Sequence, residues 1–256
     1  MLAYKDFLIL MKVSIVTVCL NSAATIRRAL ESVRHQTYRP LEVIIIDGVS
    51  SDETLKIVSE FNDIVSVVIS EKDKGIYDAM DKGVAHATGD IVYFLNSDDV
   101  LIGTEIIAVA AKEFQADQAL ELLYGDVVVR YDDRDYYSTH RHVNPSNIIH
   151  TGICHQAVFA RRSLFAKLDG FNQHFRVCAD FDWIIRAFKA DCKAIYFPRL
   201  VSIFYAGGAS MHDLNYNLRE RRLLQRQYET GIVYWAGHYR QRIRCYLQKW
   251  LSMIGL

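Results

Sequence analysis

Glycine-rich phosphate cradles are missing from this 256-residue chain. Neither G-x-G-x-x-G nor G-x-x-x-x-G-K-S/T occurs, so the sequence supports neither dehydrogenase nor P-loop chemistry. Its five cysteines (Cys19, Cys154, Cys178, Cys192 and Cys245) are odd in number and scattered, with no C-x-x-C pair. That pattern suggests neither a disulfide framework nor a zinc site and fits a reducing cytoplasm. Phe7 to Leu20 is the one apolar stretch near the start, but Asp6 precedes it, Lys12 interrupts it and no small-residue cleavage site follows. Neither export nor a membrane span is expected from it. The organised pattern begins at Val13, which makes Met11 a candidate start. No internal repeat or low-complexity linker is present, and no Ser-His or Cys-His arrangement points to a covalent nucleophile.

With 51% hydrophobic and 23% charged residues, the chain has the composition of a soluble globular protein with a sizeable core. Formal net charge is zero, yet it is unevenly spread. From Arg219 onward eight basic residues face two acidic ones. A tail of that sign suits an anionic partner such as a membrane surface, and the protein as a whole is not expected to bind nucleic acid.

Periodicity predicts alternating strands and helices. Val13 to Val18 reads as a buried strand, and Ile26, Ala29, Leu30 and Val33 form the apolar stripe of a helix begun near Asn21 or Ser22. Val43 to Ile46 is a second strand, followed by Ser50 and Glu53 at capping-box spacing for a helix through Phe61. Val65 to Ile69, a helix over Ile76 to His86 closed by Gly89, and Ile91 to Leu95 complete a mostly parallel sheet covered on both faces. Beyond Asp99 the pattern predicts a hairpin of Tyr124 to Arg130 with Asp135 to His140. Helices are then expected near Arg161 to Lys167 and Asp182 to Ala190, with a strand pair around Ala194 to Tyr205.

The most informative stretch is Asn96-Ser97-Asp98-Asp99, at the exit of Ile91 to Leu95. Adjacent carboxylates repel, and a divalent cation such as Mg²⁺ or Mn²⁺ joins them well while leaving coordination positions for phosphate oxygens. The bland alternative is a polar loop capping a helix after Val100. Three other segments would converge on the same carboxyl edge of the sheet: Thr17, Val18 and Asn21; Asp47; and Lys74-Gly75-Ile76-Tyr77-Asp78. Asp47 could accept from a base or a ribose, and Gly75 would let backbone approach a phosphate ahead of a helix N-terminus. Together they describe a nucleotide-diphosphate site.

Val13 to Asn21, Ile44-Ile45-Ile46-Asp47-Gly48 with Ser51-Asp52, and Gly89-Asp90 running into Asn96-Ser97-Asp98-Asp99 resemble the inverting family 2 glycosyltransferases of the GT-A fold. Glu71 to Gly83 resembles a subgroup from bacterial O-antigen, colanic-acid and capsule pathways. The resemblance implies a GT-A domain over 11–205. Within it, 11–99 would bind the nucleotide-sugar and 100–205 would serve acceptor and catalysis, leaving 206–256 as a loop and helical tail. It further implies that Thr17 and Asp47 hold the uracil and ribose of a UDP-sugar, with Val18, Asn21, Lys74, Gly75, Tyr77, Asp78, Asn96 and Ser97 around the donor. Asp98 would contact ribose or sugar and, with Asp99, the Mn²⁺ or Mg²⁺ that bridges the phosphates. Asn96 stands where many members carry aspartate, and Asp81 where this subgroup often carries asparagine.

In the second half, Cys178-Ala179-Asp180-Phe181-Asp182-Trp183 with Arg186 resembles the family's E-D-x-D-x-x-x-R segment, Ala179 replacing the glutamate. Asp180 then matches the catalytic base, against the bland reading of an N-cap, and Asp182 would cap or hold Arg186. His155-Gln156, read as a strand entering the site, and Trp183 are expected at the acceptor. His212 could complete the metal site or touch the diphosphate. The implied reaction transfers sugar, with inversion, to a hydroxyl of a polyprenyl-diphosphate-linked glycan at the inner face of the cytoplasmic membrane. Ile243, Tyr246, Leu247, Trp250, Leu251 and Ile254 form an apolar stripe beside Arg240, Arg242, Arg244 and Lys249, which suits a helix lying on an anionic membrane or packing on its own protein. Two other classes compete. A sugar-phosphate nucleotidyltransferase would need a glycine-rich basic loop where Cys19 to Ala23 stands, and a non-catalytic binding module would have no use for both Asp99 and Asp180.

Overall fold

The computed structural model describes residues 10–207 and 214–229. His212, the amphipathic stripe over 243–254 and the first nine residues lie outside the described residues, as do the expectations attached to them.

Four parallel strands build the first half: β1 (Val13–Cys19), β2 (Leu41–Asp47), β3 (Val65–Ser70) and β4 (Ile91–Phe94), in the order β3-β2-β1-β4. Between them run α1 (Ile26–Arg34), α2 (Thr54–Ser59) and α3 (Ile76–His86). Side chains alternate across each strand with a period of two. Val16, Val18, Ile44, Ile46, Val92 and Phe94 face one core with Tyr77 and Met80 of α3. Val13, Ile15, Val43, Ile45, Ile91 and Tyr93 face the other with Ile26 and Leu30 of α1. Both faces are covered, which is why these strands read as unbroken apolar runs.

The second half extends the same sheet. It comprises β5 (Val100–Leu101), α4 (Ile106–Ala116), β6 (Leu122–Arg130), β7 (Asp135–Ser138), α5 (Ile148–Thr151), a 3₁₀ turn (His155–Ala157) and β8 (Val158–Arg161). After these come α6 (Arg162–Lys167), α7 (Ala179–Lys189), β9 (Ala194–Tyr205) and α8 (Leu214–Tyr228). Beyond β4 the order continues β8-β6-β9-β5, with β7 on the outer part of β6. β8 runs antiparallel to both β4 and β6, while β6 and β9 are parallel. The sheet is therefore mixed, parallel where the first half is read and reversed at the junction. Among the described residues no helix is long and apolar enough to cross a membrane.

Several local expectations need correction. The segment Ala194–Tyr205 is one twelve-residue strand and not a pair, because β6 holds it over almost its whole length. α1 starts at Ile26, since Asn21 takes a positive φ of 50° and ends the preceding strand in a tight turn. The Ser50/Glu53 capping box does not form. Ser50 donates to Asp47 instead, and Asp52 Oδ1 accepts the Thr54 N–H at 3.0 Å. His155 and Gln156 sit in the 3₁₀ turn ahead of β8, not in the strand. Asp99 does not cap a helix after Val100, because Val100–Leu101 pairs with β9 as a strand and the helix waits until Ile106.

At the edge of the sheet away from the carboxyl ends, Glu42 is a buried node. Its carboxylate takes Ser14 Oγ at 2.5 Å, Thr88 N at 2.6 Å, Thr88 Oγ1 at 2.7 Å and Lys12 Nζ at 2.6 Å. Gly89 N also donates to it at 3.1 Å, and a Cβ on Gly89 would lie 2.5 Å from Ser14 Oγ. Burial alone would raise the Glu42 pKa, but the donors outweigh it and hold the group at about 2. A depressed folded pKa stabilises the protein above the ordinary glutamate value and loses that effect as pH falls toward 2. Glu42→Gln is therefore expected to cost about 2–3 kcal/mol at neutral pH. The gap from the parent should close on acidification, as read from urea midpoints across that window.

Candidate functional site

The carboxyl ends of β1, β2 and β4 gather the first part of the site. Thr17 on β1 is fully buried, and its hydroxyl has no hydrogen-bond partner among the described residues. Asp47 closes β2 with no exposure, held by Ser50 N, Ser50 Oγ and, at 2.6 Å, Ser70 Oγ. Asn21 ties the two turns together, since its N–H donates to Ser50 Oγ at 2.8 Å and its Oδ1 accepts from Ser51 N at 2.9 Å. Ser97 meets Ser22 at 2.9 Å, and Arg28 donates to the Asp98 carbonyl at 2.8 Å while stacking 3.6 Å over the Tyr205 ring. Val18 contributes its side chain to the core below.

Asp99 is completely buried. Gln156 Nε2 donates to its Oδ2 at 2.9 Å and the Tyr205 N–H to its Oδ1 at 3.2 Å. Burial and the neighbouring Asp98 push its pKa up to about 7, against those two donors. Burial also raises Asp98, with Arg28 opposing. Asn96 Oδ1, in the same turn, is buried without a partner among the described residues. Two mutually repelling carboxylates and an orphaned amide oxygen make an all-oxygen donor set, the chemistry that suits a hard divalent cation. Among the described residues no group of three or more His, Cys, Asp or Glu side chains gathers as a metal cluster. A cation held here would accordingly draw most of its ligands from water and phosphate.

The second part comes from the reversed half of the sheet. Asp180, on the first turn of α7, receives His155 Nδ1 at 2.7 Å on Oδ2. Its Oδ1 lies 2.9 Å from the Tyr77 hydroxyl and 2.8 Å from Phe181 N. Burial raises the Asp180 pKa, but His155, Tyr77 and Phe181 N–H together hold it below the ordinary aspartate value. For His155 burial acts downward and is outweighed by Asp180, Asp99 and Asp98, so its pKa lies above the usual histidine value. Asp98, Asp99, His155 and Asp180 therefore belong to one electrostatic neighbourhood built from both halves of the chain.

Several predicted site residues serve other ends. Trp183 is buried and stacks on Phe165 with centroids 4.4 Å apart, and its indole N–H has no partner among the described residues. Gln156 is 2% exposed, its Nε2 donating to Asp99 and its Oε1 accepting from the Cys154 thiol, so it holds Asp99 in place. The Tyr77 hydroxyl reaches Asp180 and the Val177 carbonyl. Asp78 braces the turn before α3 by accepting Lys74 N at 3.1 Å and pairs with Lys82. Lys74 and Gly75 are exposed at that turn, where φ of 134° calls for glycine and nothing lies within 4 Å of a Cβ. Asp81 accepts from Phe171 N and Gln173 Nε2 and so holds the loop after α6. Asp182 holds Arg186 at 2.7 Å, as expected, and also receives the Tyr228 hydroxyl.

Glu220 has no signature in the sequence. From α8 its buried carboxylate accepts three consecutive N–H groups, Arg176 at 2.7 Å, Val177 at 2.8 Å and Cys178 at 2.9 Å. These lead directly into α7, so Glu220 fixes the approach of Asp180. Only a partner some forty residues away reveals it, and no local pattern could.

A strand-end acidic pair on the parallel half of a mixed α/β sheet with flanking helices fits the GT-A fold. Residues 14–191 match the family described as Glycosyl transferase family 2, and the chain belongs to that family of glycosyltransferases. A "PGL/p-HBAD biosynthesis glycosyltransferase" of Mycobacterium bovis is 36% identical over 182 residues, covering 69% of each chain. An O-antigen chain rhamnosyltransferase of Salmonella typhimurium is 23% identical over 246 residues, 91% of this chain and 75% of that one. Among solved structures, S. aureus TarS 1–349 in complex with UDP-GlcNAc superposes with a TM-score of 0.71 at 19% identity, covering 86% of this chain and 68% of that chain. In another TarS structure the chain spans only 39% of that chain. A Pyrobaculum calidifontis mannosyltransferase in complex with GDP-Man and Mn²⁺ gives 0.62 at 21% identity, over 91% of this chain and 64% of that one.

Glu220→Ala strands three buried donors, each loss of this kind costing about 1–3 kcal/mol. The variant is expected to unfold at lower urea and, once folded, to lose turnover more than donor affinity, which thermal melts and donor titrations would measure.

Proposed function

We propose that the protein is a divalent-metal-dependent, inverting glycosyltransferase that moves a sugar from a UDP-sugar to a hydroxyl of a lipid-linked glycan in surface-polysaccharide assembly. What supports this reading is the Asp180–His155 contact at 2.7 Å together with the pull of the Asp99 and Asp98 charges on that same histidine. Thr17 and Asp47 form the floor of a nucleoside site, and the orphaned Thr17 hydroxyl is a polar group that a bound base would satisfy. Asp99 and Asp98, with Asn96 Oδ1, would hold a divalent cation, which would supply Lewis-acid neutralisation of charge on the departing diphosphate. The Asp180–His155 pair supplies the base that removes the acceptor proton during in-line attack, so that inversion needs no covalent intermediate. The UDP-GlcNAc complex of the TarS neighbour, the Mn²⁺ of the mannosyltransferase and the O-antigen relative support the donor, the metal and the pathway class in turn. A polyprenyl-diphosphate carrier and a peripheral position on the inner membrane face, through the basic tail, complete the proposal.

The test is acceptor-dependent UDP release across UDP-Glc, UDP-Gal, UDP-GlcNAc and UDP-GalNAc, with and without Mn²⁺. One donor should be turned over, and only with metal. Asp99→Asn should abolish metal-dependent UDP binding in calorimetry, and Asp180→Asn should cut turnover by about 10²–10⁴-fold. Preference for UTP over UDP, or unchanged turnover in Asp180→Asn, would overturn the reading.

Liposome co-sedimentation of the full chain should be weakened by salt and lost on truncation after Gly237, because it depends on charge at an anionic surface. Equal binding by both chains would remove the tail from the account.

A further inference from the structure

The helix α1 carries three arginines, and two of them are neutralised. Arg27 pairs with Glu60 at 2.8 Å and Arg34 with Asp63 at 2.5 Å. Arg28 pairs with no carboxylate among the described residues. One of its N–H groups donates to the Asp98 carbonyl at 2.8 Å, and its guanidinium carbon sits 3.6 Å from the centroid of the Tyr205 ring. Arg130 approaches the same ring, with its guanidinium 5.6 Å from the centroid and Nη1 3.3 Å from the hydroxyl. There a two-point bond to Asp135, at 2.8 and 2.7 Å, cancels the charge.

Stacking on Tyr205 covers one face of the Arg28 guanidinium and fixes its plane, while its N–H donors lie within that plane. One donor is spent on the Asp98 carbonyl, and the side chain remains exposed. The fork is therefore held by neutral partners, a ring and a carbonyl, with its charge uncompensated by any ion pair among the described residues. Both partners belong to the acidic turn. Tyr205, whose ring carries Arg28, donates its backbone N–H to Asp99 Oδ1 at 3.2 Å, and the carbonyl that Arg28 holds is that of Asp98. A fixed cation thus stands at the rim of the acidic pair without being tied to either carboxylate, and its charge opposes the rise that burial imposes on the Asp98 pKa.

A charge count gives that cation a use. Asp98 and Asp99 together cancel the charge of one divalent cation. The diphosphate of a UDP-sugar is itself anionic. It gains one more negative charge when the bond from the anomeric carbon to the phosphate oxygen breaks and the oxygen keeps the electron pair. A preorganised guanidinium in the same turn offsets the charge that the carboxylates and metal leave unbalanced. We infer that Arg28 is a further donor-binding residue, whose guanidinium takes the diphosphate of the UDP-sugar and offsets charge on the departing UDP. The inference rests on the glycosyl-transfer reading and adds to it a residue that no sequence motif marks. Uridine, which lacks phosphate, offers this group nothing to bind.

Titration of the full chain at saturating Mn²⁺, with UDP by calorimetry and with uridine by ligand-observed NMR, separates this role from support of the fold. Arg28→Gln should weaken UDP about 10–100-fold, the loss expected for hydrogen bonds to a charged group, and leave uridine at its parental affinity. Arg28→Lys, which keeps the charge and gives up the fork, should fall between the two. Added salt should weaken UDP binding by the parent more than by Arg28→Gln. Mn²⁺ binding without nucleotide, followed by electron paramagnetic resonance, should not fall in either variant, because removing a cation from beside two carboxylates does not loosen their hold on metal. Parental UDP affinity in Arg28→Gln would overturn the inference. So would equal losses for UDP and uridine, or a loss of Mn²⁺ binding, which mark an arginine that only braces Tyr205 and the Asp98 turn. Should the parent protein itself bind no UDP, the glycosyl-transfer reading falls and Arg28 with it, whereas equal UDP binding by the parent and Arg28→Gln removes Arg28 alone.

Discussion

Asp99 is a carboxylate with no contact with solvent, set beside a second acidic residue, and the surrounding structure is arranged to tolerate it. A buried charge of this kind survives only with donors or a cation to offset its desolvation. The fold delivers two donors from opposite directions. Gln156 arrives on the turn ahead of β8 and the Tyr205 N–H at the end of β9. Both strands belong to the second half, so the acidic pair of the first half is finished only when the antiparallel extension docks. Beside them the Asn96 oxygen has no partner among the described residues, and burial with Asp98 pushes the Asp99 pKa up to about 7.

The same economy governs the other wall of the site. Asp180 is gripped by Tyr77 of α3, an element of the first half, and by His155 from the turn before β8. The chain entering α7 is fixed by Glu220 of α8, and Tyr228 of α8 reaches Asp182, two residues beyond Asp180. α8 is therefore part of the scaffold of the site, although it follows the segment that matches the family. Few of these contacts are near in sequence, and losing any of them loosens a charged group whose position decides the chemistry.

Much of the first half was legible because burial on both faces of a parallel sheet leaves a simple record. Apolar runs mark the strands, and the 26, 29, 30, 33 stripe marks α1, all four residues being buried. The extent of α3 follows from periodicity to the residue. The Asp98–Asp99 pair stands out since two adjacent acids after an apolar run have few structural uses. The second half was less readable. Gln156 and Trp183 look like residues for a ligand, yet one is consumed by Asp99 and the other by Phe165. An amide or an indole has the same letter whether it meets a substrate or a neighbour.

The sequence by itself determined the strand–helix alternation, the strand-end acids and the segment bearing Asp180, because each depends on hydrophobic period or on residues adjacent in the chain. Only the tertiary structure decided which groups share hydrogen bonds. It alone set His155 against Asp180, stacked Arg28 on Tyr205 and placed Glu220 under α7. Those outcomes depend on distances between segments from about 25 to more than 100 residues apart, which no local pattern encodes. Protonation, in turn, follows from the sum of burial and neighbouring charge at a point in space, and so exists only once the chain has folded.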